Sequence, residues 1–134
     1  MSPEQFEDVV SGALGLVALP AGDQGYTLPA EDGLEIEAHF SAGRDYLLLL
    51  CPLMDFPEDG AHGAHLGALL SNLSSARSGT PTMAFDAHRA AFVARKALYS
   101  PSLGAHQLKA ALDEFVSHCR QIRDRMHEAA RVPA

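Results

Sequence analysis

The sequence predicts an α+β fold in which helices flank a twisted antiparallel sheet, in the order α-β-β-β-α-β-β-α. Apolar residues near both ends repeat with helical spacing, whereas central stretches alternate apolar and polar residues as strands do. The predicted strands occur in runs rather than alternating one by one with helices, which indicates an antiparallel sheet. All 11 glycines lie at or before Gly104, so the remainder of the chain is predicted to form one long helix.

The first helix is predicted to begin at Ser2, which is a favourable N-cap. Pro3 suits the first helical position, and Gln5 completes a capping box with Ser2. The next apolar residues share one helical face: Phe6, Val9, Val10, Ala13 and Leu14. Gly12 and Gly15 weaken the far end, so the predicted helix ends near Gly15.

Three strands are predicted to follow as a meander. Residues 26–28 alternate, and the turn at 31–33 supplies a glycine that can adopt a positive φ. Residues 34–40 alternate apolar and polar side chains, which predicts a half-buried strand with a solvated face. After a turn at 41–45, residues 46–53 are almost all apolar and predict a strand covered on both faces, followed by a proline-containing loop.

The second half of the chain predicts a helix, a hairpin and a final helix. Leucines at helical spacing predict the middle helix from about Ala61 to Ser75. Residues 82–86 and 91–97 are predicted to pair as a hairpin across residues 87–89. One face of the last helix carries Leu108, Leu112, Phe115, Val116, Cys119, Ile122 and Met126. We found no repeat or linker, so the sequence predicts a single domain over residues 1–134.

Composition and charge exclude several classes of partner. The 134 residues are 47% hydrophobic and 20% charged, which is typical of a globular chain, and the net charge is −7. This acidic balance disfavours binding to nucleic acid or to an anionic membrane surface. The longest apolar run, residues 47–51, is far below the ~20 residues of a membrane span. No secretory signal is evident at the N-terminus, and we expect a cytoplasmic protein whose two cysteines are reduced thiols.

The motifs of common enzyme classes are missing from the sequence. It contains neither a phosphate-binding loop motif nor a Gly-x-Ser-x-Gly nucleophile elbow. The strongest lead toward a metal is the set of seven histidines: His39, His62, His65, His88, His106, His118 and His127. His62 and His65 are spaced to face one ion from one helical turn, but no nearby motif supplies the further ligands that zinc needs. We therefore expect no metal, no cofactor and no catalytic residue.

Two other pairs fit structural roles better than catalytic ones. His118 and Cys119 are adjacent in a predicted helix, so their side chains diverge, and Cys119 lies on the apolar face as a packed thiol. Glu35 and Glu37 share one strand face, where paired carboxylates could support acid–base catalysis only if one of them were desolvated. A solvated sheet face is the simpler interpretation.

Several ordered segments together resemble a known family, the class I type III secretion chaperones, also called Tir-type or CesT-like. Residues 33–40 and 45–53 are similar to its second and third strands, and residues 66–73 to its leucine-rich middle helix. Residues 82–86 and 92–98 are similar to its paired fourth and fifth strands. Residues 111–116 are similar to the start of its last helix, so the resemblance extends from about Phe6 to Met126.

The resemblance implies a homodimeric protein of the bacterial cytosol that is not an enzyme. Such a protein binds the extended N-terminal segment of a secreted effector and keeps it ready for secretion without ATP. Two alternatives from other classes remain open: a small histidine-rich metal-binding or enzymatic α+β domain, and a general interaction module of the same fold with no role in secretion.

Two surfaces are predicted from the supply of apolar residues. The middle helix and the hairpin offer more apolar surface than one domain needs, which predicts a homodimer interface centred near Leu70 and Phe85. Its candidate residues are Leu66, Leu69, Leu70, Leu73, Met83, Phe85 and Phe92. The first helix and first strands predict a groove that accepts the effector as an added strand. Its candidates, each equally compatible with a place in the core, are Phe6, Val9, Val10, Leu28, Leu34 and Ile36.

Overall fold

The computed structural model describes residues 1–13, 19–20, 25–30, 33–41, 43, 45–55, 81–87 and 89–130. These residues form six strands and two long helices. The elements in chain order are α1 (Pro3–Ala13), β1 (Leu19–Pro20), β2 (Gly25–Pro29), β3 (Glu35–Phe40), β4 (Tyr46–Asp55), β5 (Thr82–Asp86), β6 (Ala91–Tyr99), a 3-10 turn (Ser100–Ser102) and α2 (Ala105–Ala130).

The predicted start of α1 is confirmed in detail. The backbone N–H of Gln5 donates to the Ser2 hydroxyl at 3.2 Å, and the N–H of Ser2 donates to the Gln5 side-chain oxygen at 2.9 Å. This reciprocal capping box satisfies two backbone donors that a helix start otherwise leaves without partners. The α-amino group of Met1 donates to the carbonyl of the fully buried Ser100 at 2.8 Å. The first turn of α1 therefore lies beside the end of β6.

All six strands form one antiparallel sheet with the spatial order β1-β2-β3-β4-β6-β5. The predicted turn before β3 is present, and Gly33 adopts φ +75° there. The predicted hairpin of β5 and β6 is also present, with β6 extending two residues beyond the predicted Ala97. β1 was not predicted, because two residues are too few to show an alternating pattern.

β4 is longer than predicted and contains a proline inside the sheet. It continues through Pro52 to Asp55, where the sequence analysis placed the beginning of a loop. Proline cannot donate to a strand ladder, so it is normally confined to strand edges and bulges. The register between β4 and β6 shifts between Pro52 and Met54, and this bulge accommodates the proline in a central strand.

The core lies between one face of the sheet and the two helices. Along β4 the residues alternate between fully buried and half-buried, so both faces are covered as predicted, but unequally. The last helix also agrees with its predicted apolar face, with Val116 half-buried at its margin. The buried residues of α2 are Leu108, Leu112, Phe115, Cys119, Ile122 and Met126.

Two predictions lie outside the described residues or beyond a structural test. The middle helix at about 61–75, with its leucines and with His62 and His65, falls in the undescribed range 56–80. His88 falls outside the described residues as well. The described elements share one sheet and one core, and the single domain over residues 1–134 stays a prediction.

Candidate functional site

The six predicted groove residues lie mostly in the core of this chain. Phe6 and Val10 of α1 are 0% exposed, because α1 lies against β2 and β3 with the Phe6 ring 5.1 Å from Tyr26 and 6.0 Å from Phe40. Leu28, Leu34 and Ile36 are also buried. Val9 differs from the other five, since it is half-buried and packs at the core margin.

This burial decides between the two interpretations that the sequence left open for most of these positions. The expectation of an open helix face assumed that a short helix ending near two glycines covers its neighbours poorly. Instead, the aromatic contacts of Phe6 seat α1 firmly on the sheet, so five of the six side chains are core residues here. Of the six, Val9 alone keeps partial access to solvent, and contact of any of them with an effector stays a prediction.

One edge of the sheet lies beside α1. β1 pairs with β2 only at Tyr26 and Thr27, so within the described residues the stretch Leu28–Pro29 forms part of the sheet edge. An edge strand can accept an extended peptide by adding backbone hydrogen bonds, although Pro29 has no N–H to give. The N–H and carbonyl of Leu28 are therefore the natural backbone partners at this edge.

The opposite edge is β5, which carries part of the predicted dimer surface. Phe85 is 51% exposed, and its ring lies 6.0 Å from that of Phe92. Met83 and Phe92 are buried within this chain. The four leucines of this predicted surface, Leu66, Leu69, Leu70 and Leu73, lie outside the described residues. Of the two residues predicted near its centre, the structure thus describes Phe85 and shows a large apolar side chain at the surface.

A charged cluster occupies the sheet face that points away from the helices. The Glu37 carboxylate accepts a hydrogen bond from Arg89 Nη2 at 2.6 Å and contacts His39 Nε2 at 3.2 Å. Arg89 Nε also lies 3.4 Å from Asp86. Burial alone would raise the pKa of Glu37, but the hydrogen bonds from Arg89 and His39 outweigh it and lower that pKa. Glu37 is consequently held as a carboxylate.

This arrangement fits a structural ion pair better than acid–base catalysis. A general acid near neutral pH needs a raised carboxyl pKa, whereas that of Glu37 is lowered. Its neighbour Glu35 is exposed. In the part of the chain that the structure describes, no three side chains of the His, Cys, Asp or Glu type come together to hold a metal ion.

Two surface features were missed by the sequence analysis. Tyr46 and Tyr99 face each other across β4 and β6 with ring centroids 5.7 Å apart, and both are about half exposed. Their pairing depends on the register between strands far apart in sequence, which no local pattern reveals. A pocket of about 470 Å³ lies where β4 meets the far end of α2, lined by Pro52, Leu53, Met54, Asp55, Ala91 and His127. Its mainly apolar lining suits an apolar side chain.

Comparison with known protein families gives a match over most of the chain. The model of the Tir chaperone protein (CesT) family matches residues 10–123. The chain belongs to the Tir chaperone protein (CesT) family. The resemblance seen in the sequence is thereby confirmed, and so is the α+β fold class. No curated protein sequence matches the chain.

Solved structures share this fold at low sequence identity. The chain in the HopA1–SchA chaperone–effector complex is 13% identical with a TM-score of 0.73, and the match covers 90% of this chain and 91% of that one. The Yersinia pestis type III secretion chaperone SycH, solved with a fragment of YscM2, is 14% identical with a TM-score of 0.65, covering 90% and 99%. An uncharacterized protein from Methanothermobacter thermautotrophicus is 12% identical with a TM-score of 0.68, covering 96% and 98%.

These matches and the surface geometry are compatible with a protein that binds other chains. The fold likeness includes an uncharacterized protein, so the fold alone does not define a role, and the family match carries the assignment as a chaperone. Neither α1 nor α2 combines the length and the apolar composition that a membrane-spanning helix requires.

Proposed function

We propose that this protein is a cytoplasmic type III secretion chaperone of a bacterium. It binds an extended segment near the N-terminus of a secreted effector and keeps that effector secretion-competent without ATP or catalysis. The single observation that carries the proposal is the family match over residues 10–123. Similar folds in a chaperone–effector complex and in a type III secretion chaperone bound to a partner fragment support it.

The proposed contact region is the margin between α1 and the β2 edge. The effector backbone adds to β2 near Leu28, and its side chains contact the part of α1 that stays accessible, at Val9. The buried candidates Phe6, Val10, Leu34 and Ile36 then act by holding α1 and β3 in place rather than by meeting the effector in the folded free chain.

The proposed form is a homodimer whose interface includes the β5 edge. Phe85 presents a half-exposed aromatic ring there, on an edge strand in which Asp86 is the only charged residue. Exposed large apolar side chains on an edge strand are a common feature of interfaces between chains.

The proposal is tested with the effector itself. The tagged chaperone is purified from its native bacterium, co-purifying chains are identified by mass spectrometry, and binding is then measured with each recombinant chain and with a copy lacking its N-terminal segment. We expect one-step binding in nucleotide-free buffer that is lost with the N-terminal segment. Binding that needs ATP, or that is unaffected by the truncation, would overturn the proposal.

A matched pair of substitutions locates the contact. Val9→Asp puts a charge at the half-buried margin of α1, whereas Ser11→Asp puts the same charge at an exposed position of the same helix. We expect Val9→Asp to weaken effector binding at least tenfold while the variant remains folded, and Ser11→Asp to bind normally. A folded Val9→Asp variant with normal binding would contradict the α1 contact but not the chaperone role.

A further inference from the structure

The two cysteines of the chain meet at the centre of the core. Cys51 lies on the central strand β4 and Cys119 on α2, and both side chains are 0% exposed. The two thiols interact directly through a hydrogen bond across the interface where α2 packs on β4. A strand and a helix that are distant in sequence thus place the only two thiols of the protein against each other.

The surroundings make the two thiols unequal. The hydrogen bond from Cys119 lowers the pKa of Cys51; burial opposes this, while the backbone N–H of Glu35 and the charge of Arg123 support it and Glu37 opposes it weakly. The hydrogen bond to Cys51 and burial raise the pKa of Cys119. Cys51 therefore ionises first, and the thiolate is the form of cysteine that reacts with oxidants.

We propose that Cys51 and Cys119 form an oxidation site at which hydrogen peroxide converts the two thiols into an intramolecular disulfide. The Cys51 thiolate attacks one peroxide oxygen, the O–O bond breaks, and a sulfenic acid forms with release of water after proton transfer. The Cys119 sulfur then attacks the Cys51 sulfur and displaces its hydroxyl as a second water. In total, two thiols are oxidised by two electrons and one peroxide is reduced to two waters.

Disulfide formation links β4 covalently to α2. A disulfide brings two sulfur atoms closer together than a hydrogen bond between thiols does, so α2 is drawn toward the sheet. The link also restricts the unfolded chain, because it closes a long loop between the two elements. The oxidised protein consequently unfolds at a higher temperature than the reduced one, and a small-molecule dithiol reverses the change.

Access of the oxidant requires opening of the core. Because neither thiol is exposed, peroxide reaches the pair when α2 lifts locally from β4. The rate of oxidation therefore follows the population of this opened form. A mild denaturant, below the concentration that unfolds the chain, accelerates the reaction.

The experiment follows the native protein after treatment with hydrogen peroxide. Excess peroxide is removed with catalase, the chain is unfolded in iodoacetamide, and the mass of the intact chain and of its peptides is measured. We expect loss of two hydrogen atoms, no alkylation, and one linked pair of peptides that contain Cys51 and Cys119. We also expect a higher melting temperature that dithiothreitol reverses.

Single variants supply the matched controls. In Cys51→Ala and in Cys119→Ala no intramolecular link can form, so peroxide should not raise the melting temperature of either variant. If both variants fold poorly, the peptide map of the unsubstituted chain decides. The proposal is overturned if the native chain retains two alkylatable thiols at peroxide doses that oxidise the unfolded chain. Oxygen addition without a link, or links only between two copies of the chain, overturns it as well.

Discussion

Arg89, in the turn between β5 and β6, forms an ion pair with Glu37 of β3 although the two residues are 52 positions apart. The pair spans β4, which lies between these elements in the sheet. Glu37 is mostly buried, with 14% of its side chain exposed, while Arg89 is 37% exposed. The contact therefore joins the far hairpin to the N-terminal meander on the face opposite the helices.

Removal of the Arg89 side chain should destabilise the fold modestly. Arg89→Ala leaves the Glu37 carboxylate with His39 as its remaining hydrogen-bond partner among the described residues. We expect the free energy of unfolding to fall by about 1 kcal/mol, since the pair is partly exposed to solvent. Arg95→Ala, at an exposed position of β6, is the matched control and should change it by less than about 0.5 kcal/mol. Urea unfolding measures both, and equal effects would contradict the role of the pair.

The same pair predicts a pH dependence. Folding lowers the pKa of Glu37 below its ordinary value of 4.5, so the unfolded chain binds a proton at this site more readily than the folded one. The stabilisation is fully present above that ordinary value and is lost as the pH falls through the lower folded pKa. Urea midpoints measured from pH 7 downward should therefore fall less steeply for Glu37→Gln than for the unsubstituted chain. Parallel curves would show that Glu37 does not contribute.

Ala90 is a position where the native residue is not the best one. It adopts φ +49° in the turn before β6, a left-handed conformation that disfavours any residue with a Cβ. Ala90→Gly removes this strain, although the glycine also makes the unfolded chain more flexible. We expect a net gain of up to about 1 kcal/mol in unfolding free energy. Ala87→Gly in the same turn, where φ is not positive, should be neutral or destabilising in thermal melts.

The capping box of α1 should contribute measurably to stability. Ser2→Ala removes the acceptor of the Gln5 N–H and should cost about 1 kcal/mol. Ser11→Ala is a control near the other end of the helix, where the hydroxyl makes only a long contact of 3.4 Å to the Asp8 carbonyl. Loss of helical signal at lower temperature in Ser2→Ala, but not in Ser11→Ala, is the expected result. Identical melts would show that α1 is held by packing alone.

The proposed dimer is tested at Phe85. Phe85→Glu replaces a half-exposed aromatic ring on the β5 edge with a charge, and a charge at a desolvated interface costs several kcal/mol. Light scattering should return twice the monomer mass for the unsubstituted chain and the monomer mass for the variant. Ala97→Glu, exposed on β6, should leave the dimer intact. A monomeric unsubstituted chain at micromolar concentration would contradict the proposed homodimer.

Local patterns predicted the elements well because each rests on nearby residues. The reciprocal bonds of Ser2 and Gln5 and the positive φ of Gly33 follow from sequence signals a few positions long. The path of β4 through Pro52 depends instead on a bulge against β6, which no local signal encodes. The burial of Phe6 likewise depends on ring contacts with Tyr26 and Phe40, so periodicity marked its apolar face without showing what covers that face.

The position of β6 between β4 and β5 has a consequence for how the protein is made. During synthesis, β2, β3 and β4 leave the ribosome well before β6 and α2, which complete the central pairing and cover the apolar side of the sheet. Closing such distant pairings is slow compared with forming local turns. The newly made meander therefore exposes Leu47, Leu49 and Cys51 until the last quarter of the chain is translated. Shortening the chain from its C-terminus should accordingly yield aggregation-prone products rather than a smaller folded protein.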